Sequence, residues 1–230
     1  MAEATQNELR VYGLRRMPYE EALRMQLRLR DDCIRTGGHA QCLMLVEHPP
    51  VITIGRSGDE GDLLFGRHEP AGRGVDVVEC SRGGRLTYHG PGQMVAYPIV
   101  HLGSRGRDLH RYLRDLEQWV VRLCRSYGVE AHAEGPQTGV WVGERKIASI
   151  GIACRRWVTY HGVALNVSTD LNDFDLIVPC GLQGVTMTSI ERELGHAPPL
   201  EEVSRLAAAM FAEDFGLELL NVPDEELTTA

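Results

Sequence analysis

Apolar positions along the chain change their spacing several times, and each change marks an element. Over 19–35, Ala22, Leu23, Met25, Leu27 and Ile34 recur among charged residues, with Pro18 at the opening and Gly37-Gly38 as a stop. This predicts a helix from Tyr19 to Arg35. QCLMLVE (41–47) and VITIGR (51–56) are nearly continuous apolar runs separated by His48-Pro49-Pro50, which predicts two buried strands. DVVEC (76–80) predicts another strand, which delivers the chain into SRGGRLTYHGPGQMVAYPIV and a further strand. Leu109, Tyr112, Leu113, Leu116, Trp119, Val120 and Leu123 then fall at helical spacing, so Asp108 to Tyr127 is a helix with a core-facing stripe, stopped by Gly128. From Gly139 the rhythm turns to β. GVWVGERKIASIGIAC predicts a hairpin turning at Gly143-Glu144-Arg145, with Lys146 opening the returning strand and RRWVTYHGVALNVS continuing it. A short helix near Ser189 to Leu194 and a last one from Leu200 to Phe215 complete the pattern.

Strands in runs, with helices set around them rather than strictly alternating, predict an α+β fold: a mixed, largely antiparallel sheet flanked by helices. At 230 residues and 43% hydrophobic content the chain can bury one sizeable core. No linker, low-complexity tract or repeat divides it, so 1–230 is expected to be a single domain with a frayed tail at 217–230. No apolar run approaches bilayer length, and MAEATQNELR lacks the apolar segment of a signal peptide. The expectation is a cytoplasmic protein with reduced thiols and no membrane partner. A net charge of -8 argues against nucleic acid as a partner. Locally the balance differs: Arg105, Arg107, Arg111, Arg114, Arg122 and Arg125 crowd one segment, and Arg155 and Arg156 stand together.

Three features bear on chemistry. First, Arg82 to Gln93, RGGRLTYHGPGQ, packs four glycines, a proline, two arginines and a histidine behind a strand. Such glycines let backbone N–H groups approach a ligand, lining a narrow apolar tunnel or cradling an anion. The stretch is neither a phosphate loop nor a dinucleotide fingerprint, because a proline and a further strand follow it. Second, of 24 basic residues 23 are arginine and one, Lys146, is lysine. Lysine, unlike arginine, can give up its proton when partly buried. Third, six cysteines stand at 33, 42, 80, 124, 154 and 180 with no paired metal-ligand spacing, so no metal site is expected. Cys33, Cys42, Cys80, Cys124 and Cys154 read as small core hydrophobes. Cys180 differs, because Pro179 and Gly181 place it in a turn that can present a side chain to a cleft. A thiol with its ordinary pKa of about 8.5 needs a neighbour to become a nucleophile. Lys146, His89 and His161 are the candidates. Structural roles are expected for His48, His101, His110, His132 and His196.

Four blocks in order, RGGRLTYHGPGQMVAYP, GVWVGERKIASIGIA, YHGVALNVSTDL and IVPCGL, resemble the lipoyl(octanoyl) transferases, the octanoyl-carrier-protein:protein octanoyltransferases of lipoate biosynthesis. The likeness spans about 48 to 195, within a family-like core of about 10–216. It implies a single catalytic domain of the biotin/lipoate protein ligase type, working without a cofactor. The implied reaction takes an octanoyl group from octanoyl acyl carrier protein to one lysine of a lipoyl domain, in 2-oxoacid dehydrogenase acyltransferase subunits and the glycine cleavage H protein. It further implies that Cys180 is the nucleophile forming an acyl-thioester, and that Lys146 lowers the thiol's pKa and shuttles protons. Acyl-binding segments are implied at Arg82, Gly83, Gly84, Arg85, Leu86, Thr87, Tyr88 and His89, at Ser149, Ile150 and Gly151, and at Gly162, Val163 and Ala164. Many relatives carry Gln at the position of Arg85. An oxyanion site is expected at strand-end N–H groups near Ile147 or Cys180. The competing readings are an ATP-dependent lipoate or biotin protein ligase, which leaves Cys180 idle, and a non-catalytic acyl-carrier binding module.

Overall fold

The computed structural model describes residues 7–64, 71–133, 137–178 and 184–221. Helix α1, Tyr19–Arg35, follows Pro18 and carries Glu20 and Glu21 in its first turn and Arg35 in its last, charges that suit the two ends of the helix dipole. It buries Tyr19, Ala22, Gln26, Leu29 and Cys33 on one face. Helix α2, Leu109–Ser126, is capped by the Asp108 side chain, which accepts from Arg111 N. Its buried stripe includes Tyr112, Leu116, Trp119, Val120 and Leu123. The short helix α3, Ile190–Leu194, is capped by Ser189 and ended by Gly195 at φ 78°. Helix α4, Leu200–Asp214, follows Pro199.

The strands are β1 (Glu8–Arg16), β2 (Gln41–Glu47), β3 (Val51–Ile54), β4 (Asp76–Glu79), β5 (Leu86–His89), β6 (Gln93–Ile99), β7 (Val140–Val142), β8 (Arg145–Arg155), β9 (Val158–Asn166), β10 (Thr186–Met187) and β11 (Glu218–Asn221). The main sheet runs β10-β8-β9-β6-β2-β1-β11, with β7 also on β8. Its centre, β8-β9-β6-β2, is antiparallel. The edges are parallel, β1 with both β2 and β11 and β10 with β8. One face packs on α2 and α4 through Leu116, Trp119, Val120, Phe211 and Val163. The other packs on α1 through Ala22, Cys33, Met44, Tyr97 and Ala164. The result is the mixed sheet flanked by helices that the apolar rhythm predicts.

Two features depart from that reading. β3, β4 and β5 leave the main sheet and form their own three-stranded sheet, order β4-β3-β5, over a separate core of Ile52, Ile54, Leu86, Tyr88 and Phe174. The segment expected to begin a frayed tail at 217 does not fray there: Leu217 is buried, and Glu218 to Asn221 pair in parallel with Glu8 to Val11. The cause is β1, which has no strand signature of its own because arginines interrupt it, yet presents an open edge that β11 closes. Residues 222–230 lie outside the described residues.

Candidate active site

The small sheet and the main sheet meet along a slot of about 40 Å³, room for two or three waters. Three segments line it: Arg82 to Arg85 with Thr87 and His89, Ser149 to Gly151 on β8, and His161 to Ala164 on β9. Tyr19, Val95 and Tyr97 close its far wall. The glycines permit this approach. A Cβ on Gly151 would lie 2.8 Å from Gly83 O, and one on Gly162 would run into Ala96 O of the neighbouring main-sheet strand β6. The loop is tied to the sheet by Gly83 N donating to Ile152 O at 2.9 Å. That acceptor is available because of His161, which faces Ile152 across the ladder with φ 58°. In this conformation His161 N donates to Gln26 Oε1 at 2.9 Å instead. A left-handed histidine costs on the order of 1–3 kcal/mol, so helix α1 is what holds the strand open for the glycine loop.

Behind the slot runs a chain of hydrogen bonds pointing one way. Arg82 donates to Thr53 O at 2.6 Å and, twice, to Thr53 Oγ1, at 2.7 and 3.2 Å. Thr53 Oγ1 stands 3.4 Å from His89 Nε2, and His89 Nδ1 is 2.8 Å from Gln93 Oε1. Gln93 Nε2 donates to Tyr88 O and to Asn166 Oδ1. Asn166 Nδ2 donates to Thr188 O, and Thr188 N donates to Lys146 O. Because Gln93 uses its amide as a donor, its oxygen must accept, which fixes the proton of His89 on Nδ1. His48 is fixed likewise: Nδ1 faces Met17 O at 2.8 Å, so Nε2 accepts from Tyr97 Oη at 2.7 Å. Burial lowers the pKa of His48 to about 4. Burial, helped by the charges of Arg82, Arg56 and Arg30, lowers that of His161 to about 3. His89 is held well below the ordinary range by burial and by the neighbouring His48 and Arg82. All three rings are therefore neutral at pH 7, and the wall carries polar atoms without added charge.

Lys146 lies on β8, three residues before the slot's Ser149, with 1% of its surface exposed. Its Nζ donates to Thr138 O at 3.2 Å and stands 5.3 Å from the centroid of the Trp141 ring. A Cβ on Gly139 would sit 2.6 Å from Lys146 Cε, and Gly139 N donates to the fully buried Glu117 carboxylate. Arg114 pairs with that carboxylate at 2.6 Å. The β7–β8 ladder jumps register here, pairing Trp141 with Lys146 and Val140 with Ala148. Ile147 is the residue left over, a bulge beside the lysine. Cys180, Pro179 and Gly181 lie outside the described residues.

Not every residue of the implied acyl-binding segments reaches the slot. Leu86 and Tyr88 turn away into the core of the small sheet, where Tyr88 meets Phe174 edge-on at 5.4 Å. The cause is the two-residue period of β5, which sends Thr87 and His89 to the slot and their neighbours to the opposite face. Arg85 is clasped by Asp62 through bonds of 2.9 and 2.6 Å, with 41% of its side chain exposed. His89 and His161 both line the slot, while Lys146 does not. Tyr19, Val95 and Tyr97 read in the sequence as ordinary core positions yet line the slot, and His48, for which a structural role is expected, braces Tyr97 from behind. The arginine-rich face is partly neutralised, since Arg122 pairs with Glu213 and Asp214 and Arg155 approaches Asp31 at 4.0 Å, while Arg105 donates to the uncharged Phe215 O. Cys33, Cys42 and Cys124 are buried, and Cys80 and Cys154 half-buried. Among the described residues no group of His, Cys, Asp and Glu could hold a metal ion, and no helix is long and apolar enough to cross a membrane.

Residues 18–212 match the family model described as lipoyl protein ligase A/B catalytic domain. The chain is 48% identical over 201 residues to an octanoyltransferase of Citrifermentans bemidjiense, covering 87% of this chain and 94% of the relative. It is 47% identical over 204 residues to an octanoyltransferase of Geobacter sulfurreducens, covering 89% and 83%. Among solved structures, a lipoate-protein ligase A bound with ATP superimposes with a TM-score of 0.75 at 18% identity, over 96% of this chain and 92% of that one. A biotin protein ligase from Aquifex aeolicus in complex with biotin and ATP gives 0.54 at 12% identity, over 91% and 70%. At these identities the two ligases are similar in fold alone, and the fold is that of the biotin/lipoate protein ligases.

Proposed function

The chain belongs to the lipoyl protein ligase A/B catalytic domain family, and from that membership we propose that it is an octanoyltransferase, moving an octanoyl group from octanoyl acyl carrier protein to a lysine of lipoyl domains. The observation that carries this reading is the slot itself: three glycine-bearing segments enclose a narrow apolar channel on the strand that also carries a buried lysine, the only lysine in the chain. An unbranched acyl chain is the ligand such walls suit, once side chains at the mouth give way.

In the proposed mechanism the Cys180 thiolate attacks the thioester carbonyl of the donor. The new carbon–sulfur bond forms as the carrier's thiolate departs, and that thiolate takes up the proton released by Cys180, passed on by Lys146. The neutral amine of the acceptor lysine then attacks the acyl-cysteine. An amide forms, the Cys180 thiolate leaves, and the amine's surplus proton returns through Lys146. Thioester cleavage drives amide formation, so the cycle needs no ATP. The N–H group of Ile147, the residue left over by the register jump beside Lys146, is the candidate for the proposed oxyanion site.

Intact-protein mass spectrometry after brief exposure to octanoyl carrier protein without ATP tests the reading. Wild type should gain one octanoyl group, labile to neutral hydroxylamine, and Cys180→Ser should not. An adduct appearing only with ATP and free acid would replace the transferase by a ligase. Donor binding without any adduct or turnover would replace it by a binding module.

A further inference from the structure

A second cavity, of about 300 Å³, opens between α1 and the β1–β2 pair. Its size lies at the lower end of small-molecule sites. The pairing of β1 with β2 jumps register between Tyr12 and Arg15, which opens the sheet at this point, and no atom lies within 4 Å of where a Gly13 side chain would begin. Over the gap α1 presents Glu21, Arg24, Met25 and Arg28, residues spaced three, four and seven apart and so on one helix face. Met17, Met25 and Met44 contribute apolar lining, and Arg24 and Arg28 line it from α1 beside Glu21. Arg24 and Arg28 are exposed.

The cavity is separate from the acyl slot but shares a wall with it. Met44 and Val46 line the cavity from β2, and they pair with Tyr97 and Val95, which line the slot from β6. Met17 accepts from His48, whose other nitrogen holds Tyr97. Methionine side chains are unbranched and adaptable, so they fit a flexible hydrocarbon better than a rigid ring. Guanidinium groups recognise carboxylates through paired, charge-assisted hydrogen bonds. From this combination we propose that the α1/β1–β2 cavity is a second ligand site, which takes a medium-chain fatty carboxylate with its tail on the methionines and its head at Arg24 and Arg28. The site stands apart from the transfer reaction and does not depend on the catalytic roles proposed for Cys180 and Lys146.

The methionines supply the test, because none of them lines the acyl slot. The full chain labelled with carbon-13 at methionine methyls is titrated with decanoate below its micelle concentration. The methyls of Met17, Met25 and Met44 should shift together and saturate, while Met94 and Met210, packed in or against the core on the other face of the sheet, stay in place. In an Arg24→Ala/Arg28→Ala variant the apparent Kd should rise roughly tenfold or more, as expected for the loss of charge-assisted bonds to an anionic head. Decylamine and decanol should bind far more weakly than decanoate. Silent Met17, Met25 and Met44 signals, an unchanged Kd in the double variant, or equal response to decylamine or decanol would overturn the proposal. Shifts at these methyls caused by acyl carrier protein but not by decanoate would overturn it in favour of a protein-docking groove.

Discussion

Lys146 is held in a socket cut to its shape. Gly139 leaves room for its Cε, the Trp141 ring flanks its Nζ, and Thr138 O accepts a hydrogen bond from that Nζ. A methionine at 146 has nearly the same length and no branch, so Lys146→Met is expected to fold. It leaves Thr138 O without this partner, a loss of about 1–3 kcal/mol. Turnover of octanoyl carrier protein should nevertheless fall by about 10²–10⁴, the usual contribution of a positioned proton-transfer group. Single-turnover kinetics beside a thermal melt check this. Wild-type turnover in a folded methionine variant would remove Lys146 from the mechanism. Lys146→Arg should also be inactive, and the socket adds a reason beyond proton transfer, since a planar guanidinium has no room beside Gly139. The singularity of this lysine was legible from composition alone, one lysine against 23 arginines. Its socket was not, because Glu117 on α2, which pins Gly139 in place, is 22 residues away and looks like one more charge on a helix.

At the scale of elements, the glycine loop and the sheet form one device. Gly83 docks on Ile152 only because His161 has turned its own N–H toward α1, and the contact closes over Gly151. Gly151→Ala brings a methyl to 2.8 Å from Gly83 O and 3.2 Å from Arg82 Cδ. The loop has to lift, while the cores of both sheets keep their side chains. KM for octanoyl carrier protein should rise by roughly tenfold, the equivalent of about 1.4 kcal/mol of lost binding, with a melting temperature close to wild type. An unchanged KM would show that the loop's seat on β8 does not shape the acyl slot. Both long helices and the strands of the main sheet's centre were readable because their apolar period is strong and their stops are glycine or proline. β1 and β11 were not, because β11 is an edge strand with β1 as its neighbour, and β1, interrupted by arginines, is placed only by pairing with β2 and β11. The separate small sheet was equally hidden: nothing in VITI or LTYH says which neighbour it will choose.

Over the whole molecule, the three histidines buried around the slot, His48, His89 and His161, predict acid sensitivity, because burial lowers the pKa of each. An unfolded chain binds protons at these side chains below pH 6.5, whereas the folded chain does so at His48 only near pH 4 and at His161 only near pH 3. Between those limits the unfolded state holds more protons, so stability is full above pH 6.5 and declines as pH falls. Each such histidine contributes at most about 1.4 kcal/mol per pH unit, and His89 adds to the decline in the same direction. Urea midpoints measured at pH 7.5, 6.5, 5.5 and 5.0 should stay level over the first interval and then drop, in a range where carboxylates are still mostly ionised. A His48→Gln variant, in which the side-chain amide can still reach Met17 O but cannot take up a proton, should start lower and fall less steeply. Midpoints that stay level from 7.5 to 5.0 in the wild type, or equal slopes in the two proteins, would show that the rings are not held neutral by burial.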